Sequence, residues 1–228
     1  MNHSLLQLLH LSDTALPIGG FSHSAGLETY VQHKIVQNKE TATEFIKGML
    51  EQNLVFTDGA IIALVHDAAK NGDLERILEL DEICTAVKLP AEIRLASQKL
   101  GKRLLKLFQP VIDHDLTAAY HEQVINKKTK ANYCVVFGLL AEAFGISKQD
   151  TLYGFFYNAT AGFVTNAVKL IPLGQQEGQE ILFSILPLIG KLVQSAINAD
   201  EDLIGLCCTG FDIRSMQHEQ LYSRLYMS

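Results

Sequence analysis

Residues 151–168 run for 18 positions without a charged side chain or a histidine. That length reaches the lower bound for a bilayer-spanning helix, about 18–20 residues, so the stretch belongs either in lipid or at the centre of a helical bundle. Asn158, Thr160, Thr165 and Asn166, together with Gly154 and Gly162, interrupt the apolar run. Hydrocarbon leaves such polar groups without partners, whereas a bundle can supply them. The expectation is a central helix of a bundle and no membrane span. Ser147 is placed to cap it, and Pro172 with Gly174 to stop it near Ile171.

The rest of the chain must then be helical enough to surround that element, and its punctuation agrees. Leucines 5, 8 and 9 mark a short first helix. Thr41 and Glu44 have capping-box spacing, Thr57 or Asp58 offers the next start, and Asn71-Gly72 a stop. Asp73 opens a further helix, Pro90 suits a first helical position, and Pro110 ends the run begun there. A helix and a basic loop at 126–130 lead to an apolar helix over 133–144 with Gly145 closing it. Residues 175–198 are strongly apolar, with Pro187 expected to kink or divide them. No period-2 segment of useful length appears. The fold expected is all-α: a single globular bundle of roughly ten helices over 1–211, followed by a distinct tail at 212–228.

With 228 residues and 48% hydrophobic content the chain can bury a full core. Its net charge of −6 lacks the basic footprint of a nucleic-acid binder. The N-terminus has no basic segment or cleavage signature, so a cytoplasmic protein with reduced thiols is expected.

Catalytic and metal patterns do not assemble. His121-Glu122 and His218-Glu219 begin like a zinc-protease motif, but Ile125 and Tyr222 stand where the second histidine belongs. Cys84 and Cys134 read as small core residues, and adjacent Cys207-Cys208 do not readily share a tetrahedral site. Asp113-His114-Asp115 point in different directions on a helix, so they read as a solvated cluster. Lys99, Lys102, Arg103 and Lys106 form a basic stripe, read as a solvated face that could also meet an acidic partner. No catalytic residue, metal ligand set or cofactor site is assigned.

Two segments depart from this background. Residues 16–28, L-P-I-G-G-F-S-H-S-A-G-L-E, place a proline and two glycines before a helix start. Pro17 stops the first helix, Gly19 and Gly20 permit a tight turn, and Ser22 or Ser24 can cap the second helix. Leu27, Tyr30, Val31 and Ile35 then share a helical face. The result is a shaped loop carrying Phe21, His23 and Glu28. At the other end, 212–228 concentrate Met216, Tyr222, Leu225 and Tyr226 with Arg214 and Arg224, a composition favoured at binding surfaces. Such a tail either packs on its own body or orders on a partner.

The 16–28 run resembles the UreF family of urease accessory proteins, and three further blocks match in order. Residues 91–101 are similar to a central A-x-x-R-x-A-S-x-x-x-G helix, and 169–179 to an R-L-I-P-L-G-Q-x-x-G-Q block. The tail is similar to a closing D-x-x-S-M-x-H-E pattern followed by R-L-F-x-S. Lys169 replaces the usual Arg, Tyr226 the usual Phe, and Asn132-Tyr133 stand near where a His-Pro pair is common. The resemblance implies a cytoplasmic, homodimeric, all-helical adaptor without catalysis. It would join a UreD/UreH-type accessory protein to the GTPase UreG and serve nickel insertion into apo-urease. Alternative roles are regulation of that GTPase, through Arg214 or Arg224, and direct nickel binding, through His23, His218 and Glu219. The candidate partner-binding residues are Pro17, Gly19, Gly20, Phe21, His23 and Glu28 in the loop and Lys169 in the third block. In the tail they are Arg214, Met216, His218, Glu219, Tyr222, Arg224 and Leu225.

Overall fold

The computed structural model describes residues 3–206 and 208–227, apart from the Phe21 side chain. Among them there is no strand, and the chain is all-α as expected. The helices are α1 (His3–Leu11), α2 (Leu27–Gln32), α3 (Lys39–Gly48), α4 (Ala60–Lys70), α5 (Leu74–Val87) and α6 (Ala91–Phe108). They continue with α7 (Asp115–Ile125), α8 (Tyr133–Ala143), α9 (Lys148–Leu170), α10 (Gln175–Ile197) and α11 (Thr209–His218). A π-helical segment, Met49–Gly59, joins α3 to α4 in one rod, Lys39–Lys70. No second start occurs at Thr57 or Asp58. Thr57 Oγ1 instead donates back to the Asn53 carbonyl at 2.9 Å, and Asp58 turns inward. The rod begins earlier than Thr41 and Glu44 suggested, because Asn38 caps it: its Oδ1 accepts the Thr41 N–H at 3.0 Å.

The core is centred on α8, where residues 134–141 are all buried. Gly138 lets the α4 backbone approach, since a Cβ there would stand 3.2 Å from the Ile62 carbonyl. The uncharged segment becomes α9, capped by Ser147, whose Oγ accepts the Asp150 N–H at 3.1 Å. Its helix packs closely with α10, with Gly178 against Val168. Pro187 does not divide α10. It removes the amide that would otherwise reach the Phe183 carbonyl, and Phe183 is 78% exposed. Lys39–Lys70 and Gln175–Ile197 are long and apolar enough to cross a membrane by length and composition alone; the former is 61% buried within the bundle over its most apolar window.

Two buried polar devices close the core. Asp81, 1% exposed, accepts the N–H groups of Lys130, Ala131 and Asn132, each at 2.8 Å, together with the Asn132 side chain and the Thr129 hydroxyl. This fixes the turn after α7 against α5, and Gly101 of α6 completes it, because a Cβ would fall 2.0 Å from the Ala131 carbonyl. Lys88 pairs with Asp58 at 2.7 Å. Burial works against the ammonium, but the adjacent carboxylate prevails and holds the Lys88 pKa above its ordinary value. Cys84 and Cys134 are buried with sulfurs 3.4 Å apart, while Cys207 lies outside the described residues.

Candidate partner-binding site

The 16–28 loop turns where its glycines allow. Gly19 sits at φ 88° with Arg103 close enough that a Cβ would lie 2.3 Å from its guanidinium, which donates to the Ile18 carbonyl at 2.9 Å. One member of the basic stripe is thereby committed to shaping the loop. Gly26, at φ 80°, is the N-cap of α2, and a Cβ there would meet Ser215 Oγ at 2.7 Å. Ser24 still serves the helix start, accepting the Glu28 N–H at 3.4 Å. The helix stops at Gln32, earlier than the spacing of Ile35 suggested, and Lys34 at φ 57° turns the chain away.

The last segment returns to this loop. It becomes helical at Thr209, three residues before the expected tail boundary, and α11 packs on α2 and α6. Glu28, 5% exposed, is the anchor. Its carboxylate accepts the Leu225 N–H at 2.7 Å and the Tyr226 N–H at 3.1 Å, and lies 3.2 Å from His218 Nε2. His218 is fully buried, and its Nδ1 lies 2.6 Å from Glu92 at the start of α6. Glu92 also binds Arg224 at 2.7 Å. The Met227 N–H donates to the Ser22 carbonyl at 2.9 Å, and Gln32 to that of Ser223 at 3.0 Å. The tail therefore lies on its own body as a strap held by its backbone.

Most of the strap's large side chains face out, although Tyr226 is buried. Tyr222 is 106% exposed and Leu225 67%, with Met216, Ile213 and Met227 also open. Pro17, Gly20 and Glu219 are exposed and Gly19 is buried. Arg214 bonds Gln217 at 2.8 Å. Lys169 is exposed in the last turn of α9 and makes no ion pair among the described residues. Glu28 and His218, expected among the contact residues, are internal and place the strap; the Phe21 side chain lies outside the described residues. His23 is half-buried beside the strap, and its pKa is lowered by burial first and then by the charges of Lys99 and Arg103. Behind the loop a cavity of about 310 Å³ opens between Gly20, His23, Asp58, Tyr133, Phe155 and Phe163.

The UreF family model matches residues 36–186, most of the helical body. The chain is 46% identical over 231 residues to the urease accessory protein UreF of Haemophilus influenzae (strain Rd), covering 100% of this chain and 98% of that protein. It is also 46% identical over 221 residues to the UreF of Actinobacillus pleuropneumoniae serotype 5b, covering 97% of each.

This chain belongs to the UreF family.

Blocks far apart in this UreF-family sequence meet in one network: Glu28 from the first, Glu92 from the helix of the second, His218 and Arg224 from the last. Glu92 was not singled out by sequence, because it occupies an unspecified position of the A-x-x-R-x-A-S pattern. An acidic residue in a first helical turn is ordinarily explained by the helix dipole, which concealed its second use. Asp81 and Asn132 were missed for a similar reason: a carboxylate within a helix gives no sign that a distant turn will aim its amides at it.

Proposed function

We propose that the chain is a non-catalytic, cytoplasmic adaptor in urease maturation. In this reading it bridges a UreD/UreH-type accessory protein and the GTPase UreG, so that nickel reaches apo-urease, and it works as a homodimer without a membrane or nucleic-acid partner. Family membership supports the general role. The observation that carries the finer reading is the strap: a terminal segment anchored to the signature loop through Glu28, with Tyr222, Leu225 and Met216 turned outward. Exposed aromatic and apolar side chains on an ordered support are the usual composition of an interface centre. The contacting residues in this proposal are Tyr222, Leu225, Met216, Arg214, Arg224 and Glu219, with Pro17, Gly20 and Lys169 as further candidates. Glu28, His218 and Gly19 hold the surface in shape. The test is co-purification with each partner for wild type and for a Tyr222→Ala/Leu225→Ala variant, with urease activation measured in the same cells. Loss of complex and of activation at unchanged melting temperature is expected; normal binding by the variant would reject this surface.

A further inference from the structure

The signature loop has two sides, and only one of them is taken by the strap. The other walls the cavity of about 310 Å³, whose lining is mainly apolar and includes Phe155, Phe163, Leu54 and Leu100. The volume lies at the lower end of small-ligand sites, roughly 300–1,000 Å³, and it accommodates an aromatic ring, for which about 150 Å³ suffices. Asp58 lines it and is 6% exposed. Its Oδ2 takes the Lys88 ammonium at 2.7 Å and the Thr57 hydroxyl at 3.1 Å, while Oδ1 has no hydrogen-bond partner among the described residues. The ion pair offsets this carboxylate's charge without using its second oxygen, so Asp58 offers the cavity one buried acceptor, while Asp13, Asn158 and Asn166 line it as further polar groups. Tyr133 beside it stays neutral, its pKa raised by burial and by Asp58. A cationic head is disfavoured further by Lys99 and Arg103, whose charges add to burial in lowering the pKa of His23 in the cavity lining.

We infer that this cavity is a socket for the side chain of a tyrosine or tryptophan on a partner protein, the ring filling the apolar walls and its O–H or N–H donating to Asp58 Oδ1. Such residues join an apolar body to a single polar tip and dominate interface energetics when seated in a pocket. The inference rests on the adaptor reading for the identity of the partner, but the chemistry of the socket can be tested without one.

Gly162 lines the cavity, and a Cβ added there meets nothing within 4 Å, so Gly162→Leu starts a bulky side chain at that wall without a clash at its first carbon. Isothermal titration with p-cresol, indole and toluene reads the socket directly. The donors are expected to bind at least about tenfold more tightly than toluene, the usual worth of a hydrogen bond to a charged acceptor. Gly162→Leu should abolish p-cresol binding while melting at or above the wild-type temperature. The same variant should lose at least about tenfold in affinity for the maturation partner that wild type binds. Equal binding of toluene and p-cresol, no binding of either donor, or persistence of p-cresol binding in the variant would overturn the socket. A variant that loses p-cresol yet binds the partner normally would overturn its role in docking. Wild type binding no maturation partner would instead reject the adaptor reading and leave the p-cresol result to decide the cavity.

Discussion

Two buried carboxylates in this molecule perform the same chemical task with opposite consequences. Asp81 and Glu28 are 1% and 5% exposed, and each gathers backbone N–H groups from a distant segment. At Asp81 the captured turn is itself buried: Thr129, Ala131 and Asn132 are at most 5% exposed. At Glu28 the captured strap keeps Tyr222, Leu225 and Met227 in solvent. The first carboxylate finishes the core, and the second builds a surface. What separates them is how much of the captured segment stays in solvent: the Asp81 turn exposes Lys130 and buries its neighbours, whereas the strap buries Tyr226 and leaves Leu225, Tyr222 and Met227 open.

Breaking each anchor should show that asymmetry. Asp81→Ala removes the acceptor of three main-chain donors and of the Thr129 hydroxyl, while the Asn132 amide keeps Thr85 Oγ1, and a loss of about 3–5 kcal/mol in chemical denaturation is expected. Glu28→Ala strands the Leu225 and Tyr226 amides and His218 Nε2, while His218 Nδ1 keeps Glu92, and the strap can lift away and rehydrate them. Its expected cost is smaller, about 2–3 kcal/mol, together with loss of partner binding in co-purification. If Glu28→Ala were as damaging as Asp81→Ala, the strap would belong to the core. Arg224→Ala removes a half-exposed contact to Glu92, for which less than about 1 kcal/mol is expected.

The smallest effect concerns pH. His23 has its pKa lowered from 6.5 in the folded chain, so the unfolded chain takes up the proton first as pH falls. Stability contributed by neutral His23 is present above pH 6.5 and declines below it. Melting curves between pH 7.5 and 5.5 should therefore fall less steeply for His23→Gln; identical slopes would show that the loop histidine is not held neutral.

Much of this was legible in the sequence where a local rule decides the structure. Ser147, Asp73 and the turn at Asn71-Gly72 open or close helices as their types require. The continuous rod through Thr57 and Asp58 was hidden, because both are good caps and only tertiary partners, Asn53 and Lys88, show that they are used inside a helix. The tail's composition announced a surface, and resemblance tied it to the signature loop's family. Neither disclosed that Glu28 holds the two together, since a contact across 197 positions leaves no spacing to read. The boundary at Thr209 was missed because Phe211, the first buried residue of α11, finds its apolar neighbours only after the chain has folded.

The central claim is that Glu28 fixes the strap while leaving its outer side chains free. Amide hydrogen exchange in wild type and Glu28→Ala tests it most directly, with the Lys130–Asn132 amides on Asp81 as the internal control. Protection of Leu225 and Tyr226 is expected in wild type, with its loss in the variant and no change at residues 130–132. Leu225 and Tyr226 amides that exchange freely in wild type, or that stay protected without Glu28, would contradict it.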